Sequence, residues 1–243
     1  MDMNRVLKAV VALLLIVAAI LVAGCNKPDD PNNGGNNGGN DTIAHHEFVD
    51  LALPSGILWA TCNVGADTPE DYGDYFSWGE TSAKEIYDWK SYRYGLFFNE
   101  RYELNKYCTD SLLGLDGFVD NLTVLEPADD AATANWGTDW RIPTIVEWDE
   151  MFQNTTSVWT TQNGVNGWRF TASNGNSIFL PAAGYWWESE FNGADLGVYW
   201  SVTLNTEFPY RAWGFHFNPY QCHLCGSSER CRGQSVRAVR AVR

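Results

Sequence analysis

Basic charge is scarce in this chain. Sixteen Lys and Arg stand against 30 Asp and Glu in 243 residues, a formal net charge of −14. A nucleic-acid partner needs a broad basic face, so that class is excluded. Histidine is scarcer still: His45, His46, His216 and His223 are all there are. No His-Glu-x-x-His occurs, no phosphate-cradling Gly-Lys-Ser/Thr and no Gly-x-Ser-x-Gly nucleophile elbow. Carboxylates are plentiful, but without geometry a pair of them carries no specificity. No catalytic residue, metal or cofactor is therefore expected.

A run long enough to cross a membrane comfortably is also missing. The apolar stretch Val10 to Ala23 falls short of the roughly 20 residues a spanning helix needs. With Arg5 and Lys8 before it, it reads as a cleaved signal peptide. Leu21-Val22-Ala23-Gly24-Cys25 resembles the bacterial lipobox. The resemblance implies that residues 1–24 are removed and that Cys25 carries the lipid. Residues 25–43 continue with NKPDDPNNGGNNGGND, which has no large apolar residue and reads as a flexible tether. Asp29 and Asp30 resemble the acidic signal that sends Bacteroidetes lipoproteins to the outer face of the outer membrane. A lipid anchor in that membrane, facing the exterior, is the expectation.

What is present after the tether is a core. Removing the leader leaves 219 residues, 45% of the whole chain is hydrophobic and there are 12 Trp, enough for one domain over residues 44–243. Phe48 to Val64 carries two apolar runs around Pro54-Ser55-Gly56, which predicts a strand, a tight turn and a strand. Thr68-Pro69-Glu70 has an N-cap residue and Pro at the first helical position, and predicts a short helix. Residues 81–127 are aromatic and polar without a period, and predict an irregular excursion with short elements. Thr144 and Glu147 form a capping box, after which Ile145, Trp148, Met151 and Phe152 share a helical face. Asn174-Gly175 within Gly167 to Leu180 predicts a hairpin. Gly184 to Gly197 reads as a Trp- and Gly-rich loop.

The C-terminal segment, about 199–237, is where the chemistry is mixed. Trp213, Phe215 and Phe217 alternate with Gly214, His216 and Asn218, which predicts a strand with one core face and one irregular face. From Tyr220 to Arg232 no period survives, and a surface loop is expected. Between Arg211 and Arg243 there are six Arg and a single acid, Glu229, consistent either with a charge-protected strand edge or with binding. Setting Cys25 aside, five cysteines remain: Cys62, Cys108, Cys222, Cys225 and Cys231. An exported chain permits disulfides, but sequence cannot assign their connectivity. Cys222-His223-Leu224-Cys225 with Cys231 and His216 has donors enough for zinc, yet the spacing matches no established zinc motif.

The run Trp140-Arg141-Ile142-Pro143-Thr144, followed by Glu147 and Trp148, is similar to a run in the formylglycine-generating-enzyme branch of C-type lectin-like folds. The wider set is similar to a Bacteroidetes surface family, the Fibrobacter succinogenes major paralogous domain. It comprises Val49 to Leu51, Leu53 to Gly56, Trp59 to Gly65, Tyr75 to Glu80, Trp140 to Trp148, Leu180 to Gly184, Tyr199 to Ser201 and Ser235 to Arg237. These pieces cover roughly 48–240 in order. The resemblance implies an α+β, C-type lectin-like fold with short helices around small antiparallel sheets, and by it Cys62 and Cys108 could pair. The catalytic cysteine pattern of the enzymes is not matched, and the Glu-Pro-Asn, Gln-Pro-Asp and Trp-Asn-Asp runs of calcium-dependent lectins do not occur.

Relatives usually carry Tyr or Asn at the outward positions of the last segment. Here those positions read Gly214, His216, Tyr220, Cys222, His223, Cys225, Cys231 and Arg232, and departure confined to one face resembles the variable proteins of diversity-generating retroelements. The expected function is ligand recognition without catalysis, of an unknown protein or glycan. The candidate binding residues are Glu207, Phe208, Tyr210, Arg211, Gly214, His216, Asn218, Tyr220, Cys222, His223, Cys225, Ser227, Ser228, Arg230, Cys231 and Arg232. A fixed-specificity adhesin or glycan-binding module and an enzyme of the formylglycine-generating type are the alternatives.

Overall fold

The computed structural model describes residues 46–193 and 195–242, without the side chains of residues 223–225. The leader, Cys25 and the tether lie outside the described residues. Strands β1 (Phe48–Asp50) and β2 (Leu58–Asn63) pair antiparallel across the predicted turn. No helix follows Thr68. Its N–H and carbonyl close one turn with Asp71, and Gly73, at φ +69°, sends the chain back so that the Asp74 N–H reaches the Val64 carbonyl at 2.9 Å. That return requires a left-handed residue and stops the helix before it can propagate.

After β3 (Tyr75–Phe76), the excursion holds one hairpin, β4 (Gly95–Phe98) and β5 (Arg101–Leu104), and two 3-10 turns. Helix α1 (Ala131–Trp136) is capped by the Asp130 side chain on the Thr133 N–H. Helix α2 (Ile145–Gln153) has the predicted capping box, and buries Trp148 and Met151. Strands β6 (Thr155–Gln162), β7 (Val165–Ala172) and β8 (Ser177–Pro181) form a meander, with the predicted hairpin at Asn174-Gly175. The stretch expected to be loop after Gly184 folds instead into a small hairpin, β9 (Tyr185–Trp187) and β10 (Glu190–Asn192).

The C-terminal part builds the largest sheet. It contains β11 (Gly197–Leu204), β12 (Arg211–Asn218), β13 (Gln221–Glu229) and β14 (Gly233–Ser235), in the order β10-β9-β14-β11-β12-β13, with β3 also on β14. Strand β15 (Arg237–Arg240) leaves that sheet and pairs with β2. The architecture is thus α+β and sheet-rich. Two apolar clusters flank the sheet. One holds Trp78, Tyr107, Trp140 and Trp200, the other Trp59, Trp148, Phe170, Phe215 and Phe217. Large aromatics contribute much area but carry polar atoms that must be satisfied. The Trp78 and Trp200 indoles donate to the Ser201 and Phe76 carbonyls, each at 2.7 Å.

Two sequence expectations fail in the last segment. The expected loop is strand β13, paired along its length with β12. Its residues lack a period because an edge strand with mixed neighbours need not alternate cleanly. Trp213 is half-exposed, although alternation puts it on the side of the buried Phe215 and Phe217, while Ala212 and Gly214 are buried on the other side. The register shift between Gly214 and His216 falls in β13, where three steps from His223 to Gly226 oppose two in β12. Nor do Cys62 and Cys108 pair. Cys62 is disulfide-bonded, whereas Cys108 is a free thiol buried in the Trp78 cluster, donating to the Asp110 carbonyl.

Candidate functional site

The β12–β13 hairpin divides the candidate residues by burial. Tyr220, at its turn, is 91% exposed. The turn is made by Asn218, whose side-chain oxygen accepts from the Tyr220 and Gln221 N–H groups at 2.9 and 3.0 Å. Asn218 is thus a turn-former as well as a surface residue. Arg211, His216 and Ser227 are half-buried along the hairpin, and the Arg211 guanidinium is spent on the Ser227 carbonyl. Glu207 and Phe208 are exposed in the β11–β12 connection. The side chains of His223 and Cys225 lie outside the described residues.

Four candidates are not on the surface. Gly214 is buried, and a Cβ there would press on the Tyr199 carbonyl, so this position is glycine for packing. Ser228 is buried beside Ala212. Cys231 is fully buried in the Trp78 cluster, and burial pushes its thiol well above the usual range. Arg230 is also fully buried, with its guanidinium on the Tyr94, Lys106 and Tyr107 carbonyls at 2.9–3.3 Å and near the rings of Trp78 and Tyr92. Cys222 packs against the other cluster, and burial raises its thiol to about 12.

Gly226 was not singled out by sequence, yet it shapes the face. A Cβ there would overlap the His216 ring. Gly226→Ala is therefore expected to displace the imidazole and cost about 1–2 kcal/mol, as overpacking does. Thermal unfolding together with the His216 ring resonances would test it, and an unchanged pair of readings would refute the contact.

The second feature is a cleft of about 340 Å³ at the root of the hairpin, lined by Asp88, Trp89, Lys90, Phe97, Tyr102, Trp187, Glu188 and Glu229. The β4–β5 hairpin supplies one wall and the β9–β10 hairpin another. Tyr102 is its centre. Its ring stacks on Tyr210 at 4.2 Å with 6° between planes, and meets Trp89 at 5.0 Å and Phe97 at 4.9 Å. Its hydroxyl donates to Glu229 at 3.1 Å. Burial first, and then the Glu229 charge, raise the Tyr102 hydroxyl far above its ordinary value, so it stays a neutral donor. Arg232 pairs with Glu229 at 3.4 Å and lays its guanidinium 4.4 Å from the Trp187 ring centre. The Trp89 indole N–H has no acceptor among the described residues.

None of the sixteen candidates lines this cleft, but Tyr210 and Arg232 pack against Tyr102, Glu229 and Trp187, which do. The lining residues were missed. They lie in stretches without a sequence period, and only their aromatic density signalled them.

Known proteins supply no further constraint. No family model, no curated protein and no solved structure matches the chain. The reading of the site accordingly rests on its own geometry.

Proposed function

We propose that the protein recognises a ligand, without catalysis, through the outer face of the β12–β13 hairpin and the cleft at its root. The observation that carries this is the division of one hairpin into two chemistries. Phe215 and Phe217 lock it to a packed aromatic core with Trp148 stacked on Phe215 at 4.8 Å, while His216, Tyr220 and Arg232 remain accessible to different degrees. A rigid base under adaptable side chains limits the ordering cost of binding, and Tyr and Arg are the residues that most often dominate interfaces. The finer parts of the reading are a C-type lectin-like scaffold, a lipid on Cys25 holding it to the outer membrane, and diversification of the hairpin. The sheet-rich α+β architecture is compatible with the first. The burial of Gly214 and Cys231 removes two of the eight positions that suggested the last, leaving it on His216, Tyr220, Cys222, Arg232 and the residues at 223 and 225.

An oxidase of the formylglycine-generating type draws no support from Cys222 and Cys231, which sit in different apolar clusters as strongly disfavoured thiolates.

The test of diversification is the 3′ end of the gene and its neighbourhood in several isolates. The expected result is a near-copy of the segment coding for Trp200 to Arg237 beside a reverse transcriptase. Differences should concentrate at His216, Tyr220 and Arg232 and spare Phe215, Phe217, Arg230 and Arg237. Changes scattered over core and surface alike would leave a surface protein of fixed specificity.

A further inference from the structure

The aromatic cleft has an occupant that its chemistry favours. We propose that it anchors a lysine or arginine side chain presented by a partner protein, an inference that rests on reading this end of the molecule as a recognition surface. The protein already shows what the wall accepts, since the Arg232 guanidinium lies 4.4 Å over the Trp187 ring and 5.2 Å over Tyr185. Aromatic faces attract cations through their quadrupole, and the aliphatic stem of a long basic side chain packs along apolar walls such as those of Trp89 and Phe97.

Charge selects between a cation and other guests. Glu229 is committed to Arg232 and the Tyr102 hydroxyl. Asp88 holds the Ser91 N–H at 2.8 Å and has Lys90 close enough to help hold its carboxyl below the ordinary value, against the opposing effect of burial. Glu188 is different. It is exposed at the rim, and its carboxylate has no hydrogen bond or ion pair among the described residues. Lys90 also lines the cleft, so the three carboxylates Asp88, Glu188 and Glu229, set against Lys90 and the Arg232 paired to Glu229, leave it one net negative charge, within a chain of net charge −14. An acidic guest would meet that charge, and a neutral one would leave it unused. The volume of about 340 Å³ lies at the small end for ligand pockets and suits one extended side chain. Exposed contacts of this kind are individually weak, so the cleft is one anchor of a wider interface.

The test uses the full chain and blocked pentapeptides, Gly-Gly-X-Gly-Gly, with X as Lys, Arg, Gln or Glu, and maltotetraose as a neutral sugar. Binding is followed by NMR at the Trp89 and Trp187 indole N–H groups. The Lys and Arg peptides are expected to shift both signals and the Gln and Glu peptides are not. Glu188→Gln and Phe97→Ala should each weaken Lys binding by about fivefold or more. Asp149→Asn, which removes one charge from the exposed side of α2, should leave it unchanged. Equal binding of Lys and Gln peptides overturns the proposal, as does equal weakening by Asp149→Asn, which would mark general charge attraction. Maltotetraose binding with no response to Lys or Arg overturns the cationic anchor while supporting recognition by the cleft. Silence with every probe also overturns the anchor, and the isolate comparison then decides the broader reading separately.

Discussion

Arg237→Leu is expected to destabilise the protein by about 4 kcal/mol, with a fall in melting temperature of about 8–16 °C. The side chain is fully buried and no carboxylate is bonded to it. Its Nε donates to Asn63 Oδ1 at 2.9 Å, Nη1 to the Ala60 and Thr61 carbonyls at 3.1 and 2.7 Å, and Nη2 to the Phe179 carbonyl at 3.1 Å. Burial lowers the guanidinium to about 10, still charged at neutrality. Leucine fills part of the space but leaves four acceptors unpaired, and an unsatisfied buried acceptor costs far more than an average hydrogen bond contributes. These bonds join β15 to β2 and to β8, so the loss falls on the joint between two sheets. Urea unfolding measures it. Because the guanidinium stays charged from pH 6 to 8, the difference from wild type should be flat across that range. A loss below about 1 kcal/mol would mean that the carbonyls find other partners and that the arginine is not the joint.

Arg230→Leu is expected to cost about 3 kcal/mol or more and, in addition, to loosen the cleft. Its guanidinium ties the end of β13 to Tyr94, Lys106 and Tyr107. Those residues flank the β4–β5 hairpin that carries Phe97 and Tyr102. By contrast Arg232→Ala, two positions on and half-exposed, should stay within about 1 kcal/mol of wild type in stability. The contrast separates a structural arginine from a surface one. Urea midpoints give the energies, and fluorescence of the Trp-rich cleft wall reports the loosening. If Arg230→Leu leaves stability intact and changes only binding, the buried assignment fails and Arg230 belongs with the contact residues.

The parts of the fold that sequence could reach are those governed by neighbours in the chain. The Thr144–Glu147 box and the face of Ile145, Trp148 and Met151 are settled within three turns of helix. The Asn174-Gly175 hairpin and the Pro54-Ser55-Gly56 turn are settled by the backbone freedom of a few residues. The helix after Thr68 had the right local start and failed, because the bond from the Asp74 N–H to the Val64 carbonyl, just past the end of β2, turns the chain back before a helix can propagate.

The candidate site was legible only in outline. Composition marked the last segment as unusual, and alternation assigned Phe215 and Phe217 to the core. Alternation does not show how far each face is covered, so it leaves Trp213 in the core and Gly214 on the surface, whereas Trp213 is half-exposed and Gly214 is buried. Arginine is ordinarily exposed, so nothing local distinguished the buried Arg230 and Arg237 from the half-exposed Arg232. The cleft draws on residues 88–102, 187–188 and 229, whose approach depends on three hairpins meeting.

The sequence by itself determined the local elements, the sign of the charge, and the apolar surplus that had to be buried. Only the tertiary structure decided which side of β12 faces water, which arginines are interior, and that Tyr102 meets Tyr210, Glu229 and Trp89. The physical reason is range. Capping, turn and alternation signals act over a few residues, whereas burial and pairing depend on segments brought together from more than a hundred residues away.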